Sequence, residues 1–308
     1  MKLWICLLFY LFSQIYCLTQ SIQNVYPKLF NGLHYSIDVY RNYFKPVHGY
    51  TIKRFPKNTK RNHYYKKRSN IEFIVLHYTD ADFRNTVLIF TTANPAGVSS
   101  HYVIARPTEA EQNKQVLQVV PENFVANHAG KSMWGKTHYI NTKSIGIEIV
   151  NYGYNKDNGT WQPFYQSQID IVGSMVSRMV KQYKIQANNV IGHSDIAPNR
   201  KIDPGVMFPW RQLYKVYGVG AWLDDHEMNE TFITRMYKPK IPCPRVVNQK
   251  VFVQYLKAYG YNTSSWKQAT MAFKAHFTAN QKPLLYTSKI TKNDMYWIWA
   301  LVAKYITH

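Results

Sequence analysis

Residues 71–78 read Ile71-Glu72-Phe73-Ile74-Val75-Leu76-His77-Tyr78, and a polar string, Thr79-Asp80-Ala81-Asp82, follows at once. A run this rich in β-branched and aromatic residues, cut off by turn-forming ones, reads as a strand. Its apolar character marks it as buried, and it ends on an imidazole. Working outward, residues 83–92 suit a short helix and 93–100 a loop. Residues 101–105 and 116–120 suit two more strands, the second closed by Pro121. A Gly-punctuated loop at 127–136 carries His128 and Trp134, and residues 144–150 return to strand. Residues 165–183 give the best helix, because Val172, Met175, Val176, Met179, Val180 and Tyr183 recur at helical spacing. Residues 188–193 form a last short strand that leads into a loop at 194–208. Strands alternating with helices predict an α/β fold with a central mixed β-sheet flanked by helices.

The catalytic-sized unit is expected to span 71–225. Beyond it, 226–245 has the composition of a linker, with Asp224-Asp225-His226-Glu227 at its start and Pro239, Pro242 and Pro244 along it. Residues 246–308 predict a small three-helix C-terminal domain. Gly260 stands where the first helix should end, and Thr291 with Asp294 opens the third. At the other end, Lys2 and the apolar run 3–12 are too short for a comfortable span of a bilayer and read as a signal peptide over 1–17. Export to a periplasm or cell wall follows, with a membrane attachment only if Cys17 is lipidated. Of three cysteines only Cys243 lies beyond that segment, so no internal disulfide is expected.

The 308-residue chain carries a formal net charge of +21. Part of the excess sits in an aromatic, basic extension at 18–70, where Lys53, Arg54, Lys57, Lys60, Arg61, Lys66, Lys67 and Arg68 occur with no acid between them. Without a sustained period the extension reads as irregular. The charge fits a solvated leader or attraction to an anionic polymer. No nucleic-acid module is recognisable, which argues against a nucleic-acid partner.

Chemistry gathers at strand ends. His77 ends one strand, His193 another, and Asp203 follows ten positions later. Either histidine alone would read as an ordinary hydrogen-bonded residue. Together, two imidazoles and a carboxylate make a catalytic zinc shell that leaves one place for water. Lys201 stands two residues before Asp203, on the same side if that segment is extended. Glu148 interrupts the apolar run Ile145-Gly146-Ile147-Glu148-Ile149, an expensive place for a carboxylate unless it is paired or working. Taken singly, Glu148 would suit an exposed edge strand and Lys201 a solvated loop.

Four segments resemble the type-2 N-acetylmuramoyl-L-alanine amidase family: residues 74–79, 100–104, 144–148 and especially 193–205, His-Ser-Asp-Ile-Ala-Pro-Asn-Arg-Lys-Ile-Asp-Pro-Gly. The resemblance covers about 70–215 and points to the periplasmic branch whose third zinc ligand is Asp. It implies zinc on His77, His193 and Asp203, with Glu148 as the catalytic carboxylate and Lys201 as the cation facing the oxyanion. It further implies cutting of the amide between N-acetylmuramic acid and L-alanine in peptidoglycan or muropeptides, in cell wall turnover or degradation; a monomer is expected. His128, Trp134 and Asn141 are candidates for gripping substrate. The C-terminal unit is similar, through residues 256–261 and 272–277, to a peptidoglycan-binding module. Its expected acidic, Gly-rich segment is absent, since 278–288 contains no acid. The rival reading is a non-catalytic recognition protein of the same fold, which would lack a ligand.

Overall fold

The computed structural model describes residues 45–47, 50–54, 70–91, 97–109 and 115–306. Strands alternate inward and outward, and the chain exploits that period around His77. The sheet strands are β1 (Lys45–Val47), β2 (Tyr50–Arg54), β3 (Phe73–Tyr78), β4 (Tyr102–Ile104) and β5 (Gln115–Gln118). A hairpin of β6 (Met133–Trp134) and β7 (Thr137–His138) precedes β8 (Ser144–Ile149), and β9 (Tyr154–Asn155) with β10 (Thr160–Trp161) precedes β11 (Val190–Gly192). The main sheet has the order β1-β2-β5-β4-β8-β3-β11. Its β3–β8, β4–β8, β3–β11 and β2–β5 pairs are parallel, while β1–β2 and β4–β5 are antiparallel. The mixed α/β sheet expected from the sequence is therefore present.

Register does the positioning. Between β3 and β8, Leu76 pairs with Ile147 and His77 with Glu148. Ile74 and Leu76 thus share one face with Ile145 and Ile147, all fully buried. The other face carries Val75 and His77 beside Ser144, Gly146 and Glu148. Glu148 lies on an inner strand rather than an edge.

Among the described residues eight helices follow one another: α1 (Phe83–Thr91), α2 (Gln166–Tyr183), α3 (His193–Ile196), α4 (Trp210–Tyr217), α5 (Glu230–Tyr237), α6 (Gln249–Tyr259), α7 (Trp266–His276) and α8 (Lys292–Tyr305). None is long and apolar enough to cross a membrane. In α2 the stripe Val172, Met175, Val176 and Met179 is buried, with Val180 and Tyr183 packed against the same core. In α8 the Thr291 side chain accepts from Asp294 N, and Thr291 N donates to the Asp294 carboxylate (2.8 Å), a reciprocal cap.

Two expectations need correction. The extension at 18–70 is not irregular throughout: residues 45–47 and 50–54 form β1 and β2 and lengthen the sheet beside β5. Short basic strands carry no alternation for the eye to catch, so composition alone hid them. The segment 226–245 is not a slack linker either. It contains α5, whose Ile233 is fully buried. Just before α5, Glu227 is buried and receives Lys304 Nζ from α8 (2.7 Å). One hydrophobic core runs from Ile145 in the sheet to Trp299 in α8. The signal segment with Cys6 and Cys17, and the rest of the basic run, lie outside the described residues.

Candidate metal centre

Because β3 and β11 run parallel with Leu76 opposite Gly192, the next residues, His77 and His193, emerge side by side at the same end of the sheet. The chain then turns through α3 and returns. Ser194 N donates to Asp203 O (2.8 Å), which brings the carboxylate back to the histidines. His77 Nδ1, His193 Nδ1 and Asp203 Oδ2 form a triangle with all three edges 3.0 Å. All three residues are buried. Bonds of about 2.0–2.1 Å to a tetrahedral ion place neighbouring donors about 3.3 Å apart, so the triangle fits such an ion. The donor set, two imidazoles and a carboxylate, suits zinc.

The outer nitrogens of both rings are tied down. His193 Nε2 faces Ala129 O (3.2 Å), so it carries the hydrogen and leaves Nδ1 bare. The His77 side is settled by a longer relay. Ser144 Oγ donates to Ile140 O (2.7 Å) and so accepts from His128 Nε2 (3.0 Å). That leaves His128 Nδ1 to accept from His77 Nε2–H (3.0 Å), and His77 Nδ1 presents a lone pair to the triangle. Such partners orient metal ligands and raise their basicity. Gly146 is needed here: a Cβ on it would lie 2.4 Å from the His128 ring.

Glu148 Oε1 lies 4.0 Å from His77 Nδ1, and Oε2 has no hydrogen-bond partner among the described residues. Burial, and then the charge of Asp203, push its carboxyl well above the usual range. Burial and the neighbouring His193 lower His77 to about 4. Asp203 moves opposite to Glu148; despite burial, His193 and His77 hold it below the ordinary carboxylate range. Lys201 is exposed on the returning loop, and its charge acts on both Glu148 and His77.

The three residues expected to grip substrate have other surroundings. His128 is buried in the relay described above. Asn141 Oδ1 accepts from His128 N (3.1 Å) and Ala129 N (2.7 Å), bracing the loop. Trp134 is buried, donates through Nε1 to Asn188 O (3.1 Å), and packs edge-on against Tyr261. Its loop composition suggested a surface position; aromatics from the C-terminal helices cover it.

Arg200 was not singled out by sequence reasoning. Its guanidinium donates to Lys131 O (2.8 Å) and to Ala129 O, so it joins the His128 loop to the ligand loop. Only its neighbourhood to Lys201 signalled it, and basic loop residues are too common to be noticed for that.

The sequence profile of the N-acetylmuramoyl-L-alanine amidase family matches residues 67–206. The N-acetylmuramoyl-L-alanine amidase AmiD of Escherichia coli is 34% identical over 244 residues, 76% of this chain and 83% of the relative. The 1,6-anhydro-N-acetylmuramyl-L-alanine amidase AmpD of Enterobacter cloacae is 31% identical over 115 residues, 37% of this chain and 58% of the relative. Among solved structures, a complex of Escherichia coli AmiD with the substrate anhydro-N-acetylmuramic acid-L-Ala-D-gamma-Glu-L-Lys has a TM-score of 0.65 and 30% identity, covering 86% of this chain and 99% of that one. AMPDH3 from Pseudomonas aeruginosa in complex with anhydromuramic pentapeptide has a TM-score of 0.64 and 29% identity, covering 86% and 97%.

Proposed function

This chain belongs to the N-acetylmuramoyl-L-alanine amidase family, and from that premise we propose how its residues hydrolyse the amide between N-acetylmuramic acid and L-alanine of the peptidoglycan stem peptide. The observation that carries the assignment is the buried, half-unpartnered carboxylate of Glu148 beside the His77–His193–Asp203 triangle. A carboxylate is kept in such a place when it has a proton to move.

His77, His193 and Asp203 are the residues to hold zinc. When bound, zinc supplies Lewis acidity that polarises the scissile carbonyl and acidifies water. Glu148 takes a proton from the attacking water. Its elevated affinity for that proton lets it hold the proton and then deliver it to the leaving nitrogen of L-alanine. Lys201 offers positive charge to the carbonyl oxygen as that oxygen becomes an oxyanion. His128 and Ser144 keep the His77 lone pair pointed inward throughout. Product is the free stem peptide and a sugar whose lactyl carboxylate is exposed.

Peptidoglycan, or muropeptides released from it, is the ligand class, and the relatives solved with anhydro-muropeptides support the smaller fragments. A complete ligand set with Glu148 in register favours cutting over mere recognition. The apolar segment at residues 3–12 supports action outside the cytoplasmic membrane, which cell fractionation would test. For the reaction, purified sacculi and a muramoyl tripeptide are incubated with the protein, with and without a chelator, and products are weighed by mass spectrometry. Free stem peptide that disappears with the chelator and with Glu148→Gln is expected. Cleavage at a glycosidic bond, or unchanged release by Glu148→Gln, would overturn the assignment.

A further inference from the structure

Asp195 sits two residues from the ligand His193, in the four-residue turn α3, and is almost wholly buried. Its carboxylate accepts three hydrogen bonds. Gly192 N (2.8 Å) and His276 Nδ1 (2.7 Å) reach Oδ2, and the Tyr261 hydroxyl (2.8 Å) reaches Oδ1. Two of the three donors come from the C-terminal unit, His276 from the end of α7 and Tyr261 from the loop after α6. His276 is held rigidly, stacked on Trp210 at 3.8 Å between centroids and on Phe277 at 4.2 Å. Its Nε2 has no partner among the described residues, so the ring hydrogen sits on Nδ1 and goes to Asp195. The loop that follows α7 also holds the far side of the ligand loop. Gln281 N donates to Val206 O (2.7 Å), and Asn280 Nδ2 to Phe208 O (2.6 Å).

We propose that His276 and Tyr261 are positioning residues of the metal centre, acting through Asp195 to fix the turn that carries His193. The C-terminal helices on this view set the affinity of the site for zinc, whatever else they bind. A buried carboxylate with three donors on its two oxygens is held against rotation, and the His193 backbone two residues away is thereby held. Partners that orient ligands in this manner change metal affinity about 10- to 100-fold when removed. The proposal rests on the zinc reading of the triangle.

The test compares the full chain with His276→Phe, which keeps the stack and drops the hydrogen bond, and with Tyr261→Phe, which removes one hydroxyl. Trp299→Phe serves as the control, since it removes a hydrogen bond to Ile241 O (2.8 Å) in the same helical unit, one that does not involve Asp195. Zinc affinity is read by competition with a chromophoric chelator, alongside thermal unfolding of the metal-free proteins. Expected is zinc bound about 10- to 100-fold more weakly by His276→Phe and several-fold more weakly by Tyr261→Phe. Activity should return at saturating zinc, and His276→Gln, which again offers an N–H to Asp195, should recover part of the affinity. Trp299→Phe should lose thermal stability and keep wild-type affinity. Wild-type affinity in both Asp195-partner variants would overturn the proposal. If His276→Phe fails to fold, Tyr261→Phe alone decides in the same sense. A wild type that binds no zinc would instead sink the metal-centre reading, a different failure.

Discussion

Replacing His128 by Phe keeps a ring of similar size against Gly146 and removes both nitrogens of the relay. His77 Nε2–H then has no acceptor in a nearly sealed position, for His77 is 1% exposed. An unsatisfied buried donor costs about 1–3 kcal/mol. The structure says where that penalty falls. In the metal-free protein His77 can shift its hydrogen to Nδ1 and give it to Asp203 Oδ2, 3.0 Å away. With zinc bound, Nδ1 must be bare, the hydrogen must sit on Nε2, and the penalty is unavoidable. The full cost therefore appears in metal affinity. At 1.4 kcal/mol per tenfold, His128→Phe should weaken zinc binding roughly 5- to 150-fold. The metal-free melting temperature should move by no more than about 2 °C. Chelator competition and thermal unfolding with and without zinc measure the two quantities. Unchanged zinc affinity, or a metal-free protein destabilised as much as the loaded one, would refute the relay.

Gly146→Ala attacks the same relay sterically, with a new Cβ 2.4 Å from the His128 ring. Overpacking of this kind costs about 1–3 kcal/mol, and zinc affinity and melting temperature should fall together. Glu148→Gln should lower kcat by about 10²- to 10⁴-fold while zinc content stays at one per chain, read by product release and elemental analysis. Lys201→Met should lower kcat by about 10²- to 10³-fold with KM little changed in steady-state assays; a loss confined to KM would remove it from the oxyanion. For pH, the folded-state value of Glu148 lies above its unfolded value, so its contribution is present at low pH and lost as pH rises. His77, at about 4, runs oppositely, losing stability as pH falls from its ordinary value. In metal-free protein, Glu148→Gln should therefore gain melting temperature over wild type as pH climbs from about 4.5 to 7. Parallel profiles would count against the raised carboxyl of the buried Glu148.

Much of the site was legible because strands reveal themselves by composition and end on polar residues. His77 and His193 were found at such ends, and the carboxylate of Glu148 stood out as an expensive guest among isoleucines. Parallel pairing then did the rest without help from any loop. What stayed hidden depends on partners distant in the chain. Trp134 looks like a binding aromatic until Tyr259 and Tyr261 are laid over it. His128 looks like a substrate ligand until Ser144, on a strand sixteen residues on, claims its outer nitrogen. The Pro-rich stretch before residue 246 looks slack because its anchors are scattered, Ile233 and Cys243 in the core, Ile241 O on Trp299 and nearby Glu227 on Lys304. None of these contacts leaves a periodic trace in sequence.

The pairing of His77 with Glu148 across two parallel strands also constrains how the gene can change. The 70 intervening residues include loops, and an insertion in one of them leaves the register of β3 against β8 unchanged. A single residue added within β3 or β8, by contrast, turns one of the two side chains to the opposite face, among the isoleucines. Distance along the chain is open to drift, while parity within the strands is not. Length variation that leaves activity intact should accordingly collect between the strands and stop at their edges.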